Sequence, residues 1–140
     1  MRSFYSLLLI LIFILSSLTS DVWAYLAQKI SPLVLDIAGQ NGAAVVVKHG
    51  DTLQIRWALI PGIQFPLYGY ASAKTSKTEV GLLPVKSTRT QDYTYTIDTD
   101  VSVRDFAYTW TVSRDVPKGK YRLGIGFFYH ETSNSEIHIV

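Results

Sequence analysis

Apolar and polar residues alternate along most of the chain from Leu33 onward, with Gly, Pro, Asn and Asp between the alternating stretches. A period of two is typical of half-buried β-strands, because successive side chains point to opposite faces of a sheet. No helix is predicted in this region. The predicted strands are Leu33–Ile37, Ala43–Val47, Leu53–Leu59, Phe65–Ala71, Val80–Lys86, Tyr93–Ile97, Phe106–Val112, Tyr121–Tyr129 and a last strand around Ile137 and Ile139.

Seven to nine short strands separated by turns favour an all-β fold, an antiparallel β-sandwich of immunoglobulin or fibronectin III type. A small barrel is the main alternative. Gly81 and Pro84 place the strand Val80–Lys86 at a sheet edge or a bulge, because proline cannot donate to a ladder. Trp57 and Trp110 lie in register with apolar neighbours and are predicted to pack in the core.

The chain begins with Arg2, an apolar run over Leu7–Leu15 and then small polar residues, an order typical of a secretory signal. Val22 and Ala24 are small residues at the positions that a signal peptidase reads. The sequence therefore predicts a signal peptide over residues 1–24, a cut before Tyr25, and a single domain over residues 25–140. A retained signal anchor is the alternative, although the apolar run is shorter than the roughly 20 residues that span a bilayer.

Composition limits the possible functions. The chain has 13 Lys and Arg against 11 Asp and Glu, a net charge of +2, and its basic residues are scattered, so nucleic acid is not an expected partner. The absence of cysteine means that packing must stabilise the fold, which agrees with 3 Trp, 9 Tyr and 6 Phe. After signal cleavage we expect a secreted, extracellular or cell-wall protein without a stable membrane anchor.

Catalytic and metal-binding motifs are missing from the sequence. It has no Gly-x-Ser-x-Gly, no His-Glu-x-x-His and no phosphate-binding glycine loop, so no enzyme activity, catalytic residue or cofactor is predicted. The histidines lack the spacing of zinc ligands. Asp98 and Asp100, with Asp105, could hold calcium, but their remaining oxygen ligands are not identifiable and a solvated turn is expected.

Aromatic residues are the candidates for ligand binding. Tyr68 and Tyr70 share one face of the predicted strand Phe65–Ala71, where they either form a platform or pack in the core. Phe128 points outward from its strand, where it either binds a ligand or is covered by a loop. The apolar loop Ile60–Pro66 is either a contact surface or a cap over one end of the core.

Three stretches resemble the immunoglobulin-like N-terminal module of fungal cell-wall-synthesis proteins of the Kre/Knh type, which the Ser/Thr-rich GPI-anchored wall proteins share. They are Ile30-Ser31-Pro32, then Gly50 to Trp57, then Thr109-Trp110-Thr111-Val112 followed by Pro117, Gly119 and Tyr121. The resemblance covers nearly all of residues 25–140, without the Ser/Thr-rich stalk of typical members. It implies a bare module that takes part in β-glucan or wall assembly.

The sequence thus predicts a secreted, non-enzymatic module that associates with cell-wall polysaccharide. The alternative is a module that binds an extracellular protein, as an adhesin, inhibitor or effector, through a strand edge or the loop Ile60–Pro66. Exposed, roughly coplanar Tyr68 and Tyr70 would favour sugar, and a flat apolar patch around Ile63 and Phe65 would favour protein.

Overall fold

The structure, a computed structural model, describes residues 5–12, 31–40 and 42–140. The chain divides into two compact units, residues 1–30 and residues 31–140. In the first unit, residues 5–12 form a helix whose side chains are exposed. Within the described residues, no helix has the length and apolar character needed to cross a membrane. The predicted cut between Ala24 and Tyr25 lies outside the described residues and stays a prediction.

The second unit is built from short strands. Its described residues form eight strands and one 3₁₀ turn, Val103–Asp105. The strands are β1 (Leu33–Ile37), β2 (Val45–Val47), β3 (Thr52–Leu59), β4 (Lys77–Pro84), β5 (Tyr95–Ser102), β6 (Ala107–Thr111), β7 (Gly119–Ile125) and β8 (Glu131–Ile139).

These strands form two sheets, one of three strands in the order β1-β3-β6 and one of five in the order β2-β8-β7-β4-β5. One continuous hydrophobic core contains buried residues from both sheets. The protein is therefore mostly β, with two sheets that share a core, as predicted. The prediction of a purely antiparallel sandwich is wrong in one place, because β2 pairs with β8 in parallel. Periodicity reports which face a residue occupies, not the direction of its partner strand.

The core follows the alternation of the sequence. Leu53, Ile55 and Trp57 point inward from β3, and the intervening residues are exposed. The predicted burial of Trp57 and Trp110 is confirmed, since each side chain is 4% exposed. Trp57 Nε1 donates to the Val103 carbonyl at 2.7 Å, which satisfies the indole inside the core.

One strand prediction is confirmed in the second of its two alternatives, and another is wrong in its end point. β4 is not at an edge, because it pairs with β5 on one side and β7 on the other. Its bulges are present as register shifts around Val80, and Pro84 is its last residue, where a missing N–H costs the ladder little. β7 ends at Ile125 rather than Tyr129, because Gly126 has φ +137° and a Cβ there would overlap the Tyr129 carbonyl oxygen.

The loop of residues 85–94 covers the outer face of the five-stranded sheet at β4 and the end of β7. The Tyr93 ring lies on two glycines, since a Cβ at Gly81 would be 2.6 Å from ring carbons and a Cβ at Gly124 would be 3.0 Å from Cε1. The Tyr93 hydroxyl donates a hydrogen bond to the Gly126 carbonyl at 2.9 Å. Leu83 is fully buried beneath this cover. The loop thus brings residues 85–94 against the loop that follows β7.

Candidate functional site

The predicted platform of Tyr68 and Tyr70 is not present. Residues 65–71 form a loop rather than a strand, and the N–H groups of Tyr70 and Ala71 both donate to the Leu67 carbonyl, at 3.1 and 3.0 Å. This turn directs Leu67, Tyr70 and Ala71 into the core. Tyr70 is fully buried and Tyr68 is 55% exposed, so the two rings do not share a face. The predicted geometry is wrong because a period of two assigns faces only in a strand.

Phe128 points outward, as expected, but from a loop. Its side chain is 79% exposed, the highest value among the large hydrophobic side chains of the described residues. The loop of residues 126–130 starts where Gly126 ends β7 and leads into β8 at Glu131. An apolar ring held this far into solvent has no packing role in the domain, so Phe128 is available for a partner.

The structure brings Tyr68 and Phe128 together through Gly69. The Gly69 carbonyl accepts hydrogen bonds from the backbone N–H groups of Phe128 at 2.9 Å and Tyr129 at 3.1 Å. A Cβ on Gly69 would overlap the Tyr129 ring, so only glycine allows the two loops to approach this closely. Exposed aromatic residues therefore lie on two loops that are joined at the backbone. We call Tyr68 and Phe128 the paired-loop surface.

Buried aromatic contacts support the paired-loop surface from below. The Tyr70 and Tyr129 rings lie 5.8 Å apart at a tilt of 39°, an arrangement in which aromatic pairs attract. The Arg89 guanidinium lies 5.6 Å from the centre of the Tyr70 ring. One layer of packed side chains thus fixes residues 67–71, residues 126–130 and the covering loop.

Ionisable groups also meet at this end of the domain. Burial raises the pKa of the Glu131 carboxyl, against a hydrogen bond from Ser31 and the charge of Arg89, which lower it. The hydrogen bond also connects the start of the described domain to the start of β8. The chain therefore enters the domain next to the loop that carries Phe128.

The apolar loop Ile60–Pro66 acts as a cap. Ile63 and Phe65 are partly buried and pack against the core. The Arg104 guanidinium lies 3.9 Å from the centre of the Phe65 ring and covers part of its remaining surface. The flat apolar patch that would have favoured a protein partner is therefore not formed by these two residues.

A polar depression lies on the outer side of the five-stranded sheet. It has a volume of about 490 Å³ and is open to solvent. Arg122 is committed to the fold here, because its guanidinium donates to the carbonyls of Val85, Ser133 and Asn134. The depression offers hydroxyl, amide and ammonium groups beside the covering loop; its lining residues are Val85, Lys86, Ser87, Thr88, Gln91, Arg122 and Thr132.

The three aspartates considered as calcium ligands do not form a shared site. Asp98 accepts hydrogen bonds from the Tyr108 hydroxyl and the Asp100 N–H, and Asp100 pairs with Lys77 at 3.4 Å. Asp105 lies in the 3₁₀ turn. Within the described part of the chain, His, Asp and Glu side chains form no group of three that could hold a metal ion.

Sequence reasoning missed Gly69, Tyr129 and His130, which join the loops. The pair Gly126 and Gly69 was the available signal, since an isolated glycine beside aromatic residues marks a turn or a close backbone approach. Comparisons with protein-family models, with curated proteins and with solved structures give no match. The resemblance to the wall-synthesis module stays a hypothesis.

Proposed function

We propose that this chain is a secreted, non-enzymatic β-sandwich module that binds cell-wall polysaccharide through the paired-loop surface. The observation that carries the proposal is the pair of exposed aromatic side chains, Tyr68 and Phe128, on two loops joined at Gly69. Aromatic rings held in solvent by a rigid backbone are suited to stacking on the apolar faces of sugar rings. The depression beside Lys86 supplies polar groups that could bind sugar hydroxyls.

We further propose that the fold is of immunoglobulin or fibronectin III type. Its supports are the sheets of three and five strands and the bond from the Tyr121 hydroxyl to the Pro117 carbonyl at 2.6 Å. A tyrosine near the start of a strand that bonds to backbone a few residues upstream is typical of such sandwiches. The resemblance to the fungal wall-synthesis module is consistent with this type and suggests β-glucan as the first polymer to test.

The test is retention on insoluble polymers. The full chain would be expressed in a secreting host, its mature N-terminus sequenced from the medium, and the protein mixed with insoluble β-glucan, chitin and mannan. We expect a mature chain that begins at Tyr25 and sediments with one polymer. The double variant Tyr68→Ala, Phe128→Ala should lose at least about tenfold in affinity, since each stacking ring contributes on the order of 1 kcal/mol.

The matched control is Val46→Ala, which shortens a side chain that is 64% exposed on β2, away from both loops. It should sediment like the wild type, and all variants should unfold at the same temperature. A wild-type chain that remains in the supernatant with all three polymers contradicts the proposal. Retention that the double variant keeps contradicts the assigned surface and leaves the polymer to another face.

A further inference from the structure

The backbone of residues 128–130 ties three loops together. The N–H groups of Phe128 and Tyr129 donate to Gly69, and the next N–H, that of His130, donates to the Arg89 carbonyl at 2.8 Å. Three successive residues thus connect the loop after β7 to both of its neighbours. Any change that displaces His130 acts directly on the bonds that hold Phe128 beside Gly69.

The His130 ring is buried at this junction. Its residue is 4% exposed, and the ring lies 4.4 Å from the Tyr93 ring, centre to centre, at a tilt of 36°. His130 Nδ1 has no hydrogen-bond partner among the described atoms. A proton added to the ring would therefore place a positive charge where Nδ1 has no contact with solvent.

Burial and the neighbouring polar groups have opposite effects on the pKa of the His130 ring. Burial lowers the pKa of His130, and it outweighs carbonyls and carboxylates that favour the protonated form. The carbonyls are those of Phe127 and Gln91, and the carboxylates are Glu79 on β4 and Asp92 on the covering loop. The elements around the ring carry further ionisable groups. They are Lys86, Arg89 and Tyr93 on the covering loop, Tyr68 and Tyr70 on the loop of residues 65–71, Lys77 on β4, Tyr129 beside the ring, and Glu131, Glu136 and His138 on β8.

We propose that neutral His130 locks the three loops together and that acidification opens this lock, releasing Phe128 from Gly69 and weakening ligand binding at the paired-loop surface. The effect on binding rests on the proposed function, whereas the opening of the loops does not. Ligand binding at the paired-loop surface then depends on the pH outside the cell. Protonation of His130 acts through the backbone hydrogen bonds of residues 128–130.

The direction follows from proton linkage. A histidine whose pKa is lower in the folded domain than in the unfolded chain leaves stability unaffected above its ordinary pKa of about 6.5. As the pH falls below that value, the open or unfolded state takes up the proton more readily, and the closed arrangement loses stability. The loss continues until the pH passes the lowered pKa of the buried ring.

Amide hydrogen exchange, followed by NMR, tests the lock without a ligand. The protection factors of the Phe128 and Tyr129 N–H groups should fall at least about fivefold between about pH 7.5 and pH 5, corrected for intrinsic exchange. The N–H of Leu123, which bonds to Ser133 Oγ in the centre of the sheet, should change much less. The imidazole signals of His130 should titrate with a pKa below the ordinary value of about 6.5, and the loss of protection should follow that titration.

The matched variants are His130→Gln and His138→Gln. His138 is the control because it lies on β8, where it pairs with Glu136 at 2.9 Å in a partly buried position, and its ring contacts none of the three loops. His130→Gln should abolish the pH dependence of Phe128 protection, and His138→Gln should preserve it. Protection of Phe128 and Tyr129 that follows Leu123 at every pH while the His130 ring titrates would overturn the lock, even if the glutamine variant fails to fold.

Polymer retention at both pH values tests the consequence for binding. The wild type and His138→Gln should lose retention at least about threefold at the lower pH, and His130→Gln should lose less than about half of that. Loops that open without any change in retention would overturn the link between the lock and binding. A chain that binds no polymer at either pH would contradict the proposed function, and hydrogen exchange would still decide the lock.

Discussion

The outer faces of the two sheets differ in what covers them: a loop lies on one, and the other faces solvent. On the five-stranded sheet, Gly81 and Gly124 leave room for the Tyr93 ring, and Leu83 is fully buried beneath the covering loop. On the three-stranded sheet, the outward side chains of β3 and β6 face solvent. They form a polar ladder in which Gln54 Nε2 donates to Thr109 Oγ1 at 3.2 Å. The five-stranded sheet is therefore covered on both faces around β4 and the end of β7, and the three-stranded sheet on one face.

This difference explains where the candidate site lies. The covering loop carries Arg89 and Tyr93, which reach the loops of Tyr70 and His130, so the covered face is continuous with the support of the paired-loop surface. The open face makes no such connection through its polar ladder. Changes to the covered face should therefore affect stability and the site together, whereas changes to the open face should affect neither.

The largest effect should come from filling the space under Tyr93. In Gly81→Ala, the new Cβ would lie 2.6 Å from Tyr93 ring carbons and 2.7 Å from the Tyr95 carbonyl oxygen. The ring must move and the neighbouring strand must shift, so we expect a loss of about 2 to 3 kcal/mol in the free energy of unfolding, as for other overpacked sites. Urea unfolding measures it.

The control for this variant adds one heavy atom to the open face. Ala58→Ser, at an exposed position of β3, should change the free energy of unfolding by less than about 0.5 kcal/mol. Equal effects of the two substitutions would contradict the difference between the faces. A small effect of Gly81→Ala alone would mean that the covering loop moves away from the sheet at little cost.

A smaller effect should come from removing single hydroxyl groups. The Tyr93 hydroxyl shares its one hydrogen between the carbonyls of Gly126, at 2.9 Å, and Glu79, at 3.2 Å, inside the covered face. Tyr93→Phe should therefore cost about 1 to 1.5 kcal/mol. Tyr108→Phe breaks a bond to Asp98, at 3.0 Å, on a partly exposed edge, and should cost about 0.5 kcal/mol. The reverse order in thermal or urea unfolding would contradict the comparison.

The open sheet could be predicted from the sequence, because water on one face imposes strict alternation. In β3 every second residue from Leu53 to Trp57 is buried, as the pattern indicates. In β4 the four residues Val80–Leu83 are all buried, since both faces are covered and the alternation disappears. Of the two alternatives predicted for this strand, the bulge is confirmed and the edge is wrong, since Gly81 provides space for Tyr93.

The loops could not be predicted, because their contacts are distant in the sequence. The stretch Phe65–Ala71 has the sequence pattern of an alternating strand. In the structure, a turn directs Leu67, Tyr70 and Ala71 into the core. The pairing of Gly69 with Phe128 closes a separation of 59 positions, and no local pattern reports it. The sequence singled out Tyr68, Tyr70 and Phe128 as candidates, but only the structure separates the buried Tyr70 from the exposed pair.

The smallest effect should come from the polar ladder itself. Thr109→Ala removes the acceptor for Gln54 on a surface where water replaces the lost hydrogen bond, so the free energy of unfolding should change by less than about 0.5 kcal/mol. Retention on polymers should not change either, because the ladder lies on a different sheet from the paired loops. Lower retention with unchanged stability would instead identify the open face as a binding surface. The hydroxyl and amide groups of the polar ladder, rather than Tyr68 and Phe128, would then be the side chains to substitute next.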